Sequence, residues 1–286
     1  MGVFKRDERL PEHTVVTTVG DGSPRRSLSS AFETGKREGR ALLMPFLVCG
    51  YPDPDAFLAC VEAAGTAGAD VLEIGIPFSD PIMDGPLIAA ASTKVLDRGQ
   101  TVDDAFGLLA RASAAFGRPM VAMTYYNLLL RRGLKRFAGD CAAAGVSGVI
   151  VPDLAVEESL QWGVACEQAG IAAVFMASVT SSPERLRQIA HTSEGFIYAA
   201  STLGVTGVRD SLGDRARTLV ASLREATSKP VAVGIGVSTP EHAREVAGYA
   251  DGVIVGSALV QAIDDGGPEP AKRVVQLVTA LRDALG

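Results

Sequence analysis

The stretch AGADVLEIGIP, residues 67–77, joins an Ala-Gly pair to a short apolar run carrying a single glutamate. Glycine just past a helical segment is a common helix stop, because it adopts the left-handed backbone at little cost. The run behind it has the length and composition of a strand buried on both faces. The same joint recurs at Ala144-Gly145, ahead of SGVIVPD (147–153), and at Ala169-Gly170, ahead of IAAVFMAS (171–178).

Five more runs complete the series: ALLMPFLVCG (41–50), PMVAMTYY (119–126), GFIYAAS (195–201), PVAVGIG (230–236) and DGVIVGSA (251–258). Between them lie segments with 3.6-residue periodicity, such as DAFLACVEAAGTAG and RARTLVASLREATS. About eight βα units without a compositional break predict an α/β fold, a single (β/α)8 TIM barrel, over an open doubly wound sheet. Residues 1–24 fall outside the pattern and read as a flexible extension. Residues 25–286 read as one catalytic barrel domain, with Arg25–Gly39 predicted to form an extra helix closing its floor.

The chain has 286 residues, of which 47% are apolar and 21% charged, enough for a large core. Its formal net charge is −6, and no lysine or arginine run exceeds a pair, which argues against a nucleic-acid surface. Cys49, Cys60, Cys141 and Cys166 are widely spaced, arguing against a disulfide framework or a zinc site and for a reducing cytoplasm. The polar start lacks the apolar core of a leader, and no segment approaches ~18 uninterrupted apolar residues, so neither secretion nor membrane insertion is expected.

Function in such a barrel sits where strands end and the following loops begin. Those positions supply Glu73 with Asp80 and Asp84, Tyr125-Tyr126-Asn127, Asp153, Tyr198, Gly234 and Gly236, and Gly256-Ser257. No lysine follows a strand run, so a Schiff base lacks its amine. His13, His191 and His242 lie in the extension or on helices, so an imidazole metal centre lacks ligands. Carboxylate and tyrosine acid–base chemistry remains. Asp80 and Asp84 also read as turn formers, Asp153 as a cap, Tyr198 as filling for the barrel mouth, and Trp162 as packing. Glu73 resists such an account, because an unpaired carboxylate inside a closed barrel costs several kcal/mol. The glycine turns VGIGVSTPE (233–241) and VGSALV (255–260) follow the last two strands, where many barrels hold phosphate. LGVTGVRDS (203–211) adds Gly207 and the Thr206 hydroxyl.

Taken in order, PFLVCGYPDP, LEIGIPFSDPIMDGP, MTYYN, VPDLAVEES, YAASTLGVTG, VGIGVSTPE and VIVGSAL resemble the α subunit of tryptophan synthase, over roughly residues 41–262. The resemblance implies a metal-free retro-aldol cleavage of indole-3-glycerol phosphate to indole and D-glyceraldehyde 3-phosphate, a step in L-tryptophan biosynthesis. It makes Glu73 and Asp84 catalytic: Glu73 as proton carrier to indole C3 and from the glycerol hydroxyl, Asp84 as acceptor of the indole N–H. Tyr125, Tyr198 and Thr206 then line the substrate site, Thr206 meeting Asp84 when the loop 203–211 closes as a lid. Gly207, Gly234, Gly236, Gly256 and Ser257 bind the phosphate.

The resemblance also implies a β-subunit partner in an α2β2 assembly, faced by Asp80, Asn127 and Asp153. This chain then needs no cofactor of its own, and pyridoxal phosphate belongs to the β subunit. Ala155, Ala89 and Thr202 depart from the family pattern. They leave open a stand-alone lyase releasing free indole; a catalytically silent barrel that activates a β subunit is the further alternative.

Overall fold

The computed structural model describes residues 24–200, 212–234 and 236–286. The expectations placed on residues 1–23 and 201–211, including Thr202, Thr206 and Gly207, lie outside the described residues.

The strands are β1 (Leu42–Val48), β2 (Leu72–Gly75), β3 (Met120–Met123), β4 (Gly148–Ile150), β5 (Ala172–Val174), β6 (Met176–Ser178), β7 (Ile197–Ala200), β8 (Val231–Val233) and β9 (Gly252–Val255). They pair in parallel in the order β5-β4-β3-β2-β1-β9-β8-β7-β6. The two ends of that order, β5 and β6, are separated in the chain only by Phe175, so the sheet closes on itself through the backbone. The predicted barrel is therefore present, with its fifth strand in two pieces. The break has a cause: Phe175 N–H goes to the buried Ser193 Oγ at 3.0 Å, and its carbonyl accepts from Tyr198 N at 3.1 Å.

The helices are α1 (Pro24–Glu38), α2 (Pro54–Thr66), α3 (Pro86–Asp97), α4 (Val102–Phe116), α5 (Tyr126–Arg132), α6 (Leu134–Ala143), α7 (Leu160–Ala169), α8 (Pro183–Thr192), α9 (Leu212–Ala226), α10 (Pro240–Ala247), α11 (Ser257–Asp265) and α12 (Pro270–Leu285). Their starts are written locally. Asp53, Thr101, Ser182 and Thr239 each accept backbone N–H groups at the first turns of α2, α4, α8 and α10. The Ala-Gly joints end α2, α6 and α7 with Gly68, Gly145 and Gly170 at φ of +98°, +76° and +70°.

Alternation along each strand sorts the side chains into two layers. Leu42, Met44, Val71, Val121, Ile150, Val174, Tyr198, Ala232 and Ile254 fill the barrel interior. Leu43, Leu47, Leu72, Ile74, Ala122, Val149, Val233 and Val253 pack outward against the helices. Leu28 and Phe32 of α1 join the interior set, with the Phe32 ring 5.4 Å from that of Phe196. The N-terminal helix thus closes one end of the barrel, as predicted.

The third strand run was expected to reach Tyr126 but ends at Met123, because Asp153 draws the chain into a helix. Its Oδ1 accepts Tyr126 N–H at 2.9 Å at the start of α5.

Candidate active site

Glu73 lies on β2 between Leu72 and Ile74, which face the helices, and two residues after Val71, which faces the interior. Alternation therefore turns its carboxylate into the barrel. It is 1% exposed, and its Oε2 has no hydrogen-bond partner among the described residues. Burial, and secondarily the nearby charge of Asp84, push its pKa up to about 8. A carboxyl group so placed holds its proton near neutral pH and gives it up at small cost.

The loop after β2 brings Asp84 back towards this acid. Tyr125 Oη donates to Asp84 Oδ1 at 3.0 Å and accepts Met83 N–H at 3.1 Å, so one phenol holds both the second acid and its backbone. Burial raises the Asp84 pKa, while the Tyr125 bond opposes that rise by stabilising the charged form. Phe78 stacks on Tyr125 with ring centroids 5.0 Å apart and planes 24° from parallel. Sequence reasoning missed Phe78, which stands in the same PFSDP loop as the acids but carries no polar atom to single it out.

Tyr198 projects into the barrel from β7 and donates to the Gly234 carbonyl at 3.3 Å. Burial, then the charges of Glu73 and Asp84, raise its pKa well above that of a free phenol, which keeps it a neutral donor. A Cβ on Gly234 would lie 2.0 Å from Tyr198 Oη and 2.4 Å from Cζ, so glycine is what admits the tyrosine. That finding sharpens the expectation for Gly234: its carbonyl and its missing side chain seat Tyr198. The second orphaned buried polar atom among the described residues is Thr124 Oγ1, beside Tyr125, which sequence reasoning also passed over.

Across the mouth, Gly256 precedes α11 and Ser257 opens it, with no side-chain cap to occupy the first N–H groups. A Cβ on Gly85 would lie 3.8 Å from Ser257 Oγ, which sets this helix start against the loop that carries Asp84. Gly236 has φ +68° in the turn after β8. Asp84, Tyr125, Gly234, Gly236, Gly256 and Ser257 thus lie in the loops and helix starts that follow strands on one barrel face, while Glu73 of β2 and Tyr198 of β7 point into the barrel interior.

Asp80, Asn127 and Asp153 are exposed on the same face. Ser79 Oγ donates to Asp80 at 2.6 Å, and Asp80 and Asn127 line one cavity of about 270 Å3 with Arg131 and Gln100. Asp153 stands apart as the cap of α5. Ala155 and Ala89 lie at the starts of a short helical turn and of α3. Lys229 falls on the opposite face, as its place before a strand required. Its Nζ donates to the carbonyls of His191 and Ser193 at 2.9 and 2.6 Å. Among the described residues, no group of three or more histidine, cysteine, aspartate or glutamate side chains is arranged to hold a metal, and no helix is long and apolar enough to cross a membrane.

Residues 32–285 match the family model described as "Tryptophan synthase alpha chain". The chain is 47% identical over 240 residues to the tryptophan synthase alpha chain of Mycolicibacterium paratuberculosis, covering 84% of this chain and 88% of that protein. It is 40% identical over 250 residues to that of Rippkaea orientalis, covering 87% and 94%. Among solved structures, a Mycobacterium tuberculosis tryptophan synthase chain superimposes with a TM-score of 0.84 at 41% identity, covering 90% of this chain and 97% of that one. The family model, these relatives and this solved structure each match the barrel over most of its length, and the chain belongs to the tryptophan synthase alpha chain family.

Proposed function

We propose that this chain is the lyase that cleaves indole-3-glycerol phosphate to indole and D-glyceraldehyde 3-phosphate. The observation that carries the reading is the buried Glu73 carboxyl, its Oε2 without a hydrogen-bond partner among the described residues and its pKa pushed up to about 8, inside a barrel whose mouth offers a second acid.

Indole is a poor leaving group until C3 is protonated, and the proton must come from an acid that is still protonated near neutral pH. Glu73 meets that need. It delivers a proton to C3, forming the indolenine with its positive charge towards the ring nitrogen. The carboxylate left behind takes the proton of the adjacent glycerol hydroxyl. The C–C bond then breaks, its electrons return to the indole ring, and the former carbinol carbon becomes the aldehyde. One carboxyl thus gives and regains one proton per turnover. Asp84 accepts the indole N–H and offsets the positive charge as it forms, and Tyr125 keeps it aimed. Tyr198, held neutral, lines the site beside Glu73.

The phosphate falls to the open helix start at Gly256-Ser257 and to the turn at Gly236. The roles expected of Gly207 and Thr206 fall on the loop 203–211, outside the described residues. The chemistry calls for no cofactor on this chain. A cytoplasmic setting fits buried cysteines that form no disulfide among the described residues.

A tryptophan synthase β subunit is the partner of this family, and pyridoxal phosphate would be that subunit's own. Asp80, Asn127 and Asp153 are the residues proposed to face it, in an α2β2 assembly. Indole formation from indole-3-glycerol phosphate, followed by absorbance with and without added β subunit, tests both parts. Cleavage that rises severalfold with the β subunit is expected. A chain that releases no indole in either case overturns the lyase reading. High cleavage indifferent to the β subunit overturns the coupling alone.

A further inference from the structure

The helix that follows Asp84, α3, and the helix that follows Gly256, α11, lie side by side. Beyond the 3.8 Å approach of Gly85 to Ser257, a Cβ on Gly256 would lie 3.5 Å from Ile88 Cδ1 of α3. The two helix starts therefore carry the opposite ends of the substrate reading: the indole acceptor on one, the phosphate cradle on the other.

About 12 Å further along each helix, at 1.5 Å per residue, a third element ties them together. Tyr51, in the loop after β1, is buried at 3% exposure. Its hydroxyl donates to Asp264 Oδ1 of α11 and accepts from Lys94 Nζ of α3 at 3.1 Å. Lys94 Nζ lies 3.7 Å from the same Asp264 oxygen and 5.3 Å from the centroid of the Tyr51 ring. The loop itself is gripped from the end of α3: Arg98 Nη2 donates to Gly50 O at 2.7 Å, and Gln100 Nε2 to Cys49 O at 3.0 Å. The reaction described above uses none of these groups.

We infer that Tyr51, with Lys94 and Asp264, is a positioning clamp that sets the distance between Asp84 and the phosphate cradle. The inference rests on the proposed roles of Asp84 and Gly256-Ser257. Binding energy from a substrate's remote phosphate accelerates the reaction only if the phosphate site and the reacting groups keep a fixed spacing. Displacement by about 1 Å is enough to cost as much as 100-fold in rate. Two helices packed only by apolar side chains slide against each other more easily than two helices joined through a shared hydroxyl.

The test compares the full-length wild type with Tyr51→Phe and Asp264→Asn, measuring kcat for indole-3-glycerol phosphate and the inhibition constant of glycerol 3-phosphate. That inhibitor occupies the cradle without spanning to Asp84. Tyr51→Phe is expected to lower kcat about tenfold and to leave the inhibition constant within about twofold. Asp264→Asn keeps an acceptor for Tyr51 and loses the charge facing Lys94, so a smaller fall in kcat is expected. It also serves if Tyr51→Phe does not fold. Unchanged kcat in whichever variants fold overturns the clamp, as does an inhibition constant that rises in step with the loss of kcat. A wild type that cleaves nothing overturns the proposed function, and the clamp with it.

Discussion

Tyr125 Oη stands between Asp84 and the backbone that carries it, donating to Asp84 Oδ1 at 3.0 Å while accepting Met83 N–H at 3.1 Å. Phe78 holds the ring from the side, at 5.0 Å between centroids. The second acid is thus aimed by a phenol from a different strand end, and removing that phenol should disturb its aim and its charge together.

Tyr125→Phe removes both bonds and keeps the stacked ring. We expect a loss of about 1 kcal/mol in stability and about tenfold in indole release. The Tyr125 bond holds the Asp84 pKa down against burial, so its loss moves the acid limb of the pH–rate profile to higher pH. Steady-state rates at a series of pH values, with chemical denaturation, check all three.

Glu73→Gln keeps the shape of the side chain and removes its proton. Indole release should fall by roughly 100- to 10,000-fold, the range for loss of a positioned acid–base group. The variant should fold at least as well as the wild type, since no buried carboxyl is left to ionise. Unchanged indole release would sink the assignment.

The pH dependence of stability follows from the same carboxyl. Its folded pKa, about 8, lies above its ordinary 4.5, so the folded state holds an extra proton between those values. The stability contributed by this group is complete below about 4.5 and is lost as pH rises through about 8. Asp84, also raised, acts with the same sign. Denaturation curves should therefore show stability falling across that window, with most of the fall absent in Glu73→Gln. The catalytic rate should decline above about 8, where Glu73 no longer carries the proton for C3.

Gly234→Ala places a methyl group 2.0 Å from Tyr198 Oη and 2.4 Å from Cζ. The tyrosine must leave its place beside Glu73, and a loss of indole release of up to about 100-fold is expected. Tyr198→Phe should not rescue it, because the ring carbon collides as well as the hydroxyl. Rates of the single and double variants, with circular dichroism to confirm folding, decide the point.

Much of this was legible in the linear order of residues. Ala-Gly joints and doubly buried runs announce a barrel, because helix stops and strand composition are local properties. Glu73 stood out because a carboxylate between Leu72 and Ile74 has no local explanation. Phe78 and Thr124 did not stand out, since a ring's stacking partner and a hydroxyl's lack of one depend on neighbours distant in the chain.

The sequence by itself determined the barrel and the family motifs, which follow from periodicity and from residue types in a fixed order, and its resemblance to the family marked Glu73 and Asp84 as the candidate acids. Only the tertiary structure decided that Tyr125 holds Asp84, that Gly234 makes room for Tyr198, and that Tyr51 joins α3 to α11. Each of these pairs residues more than 30 positions apart, and barrel closure alone brings them within reach of a hydrogen bond or a collision.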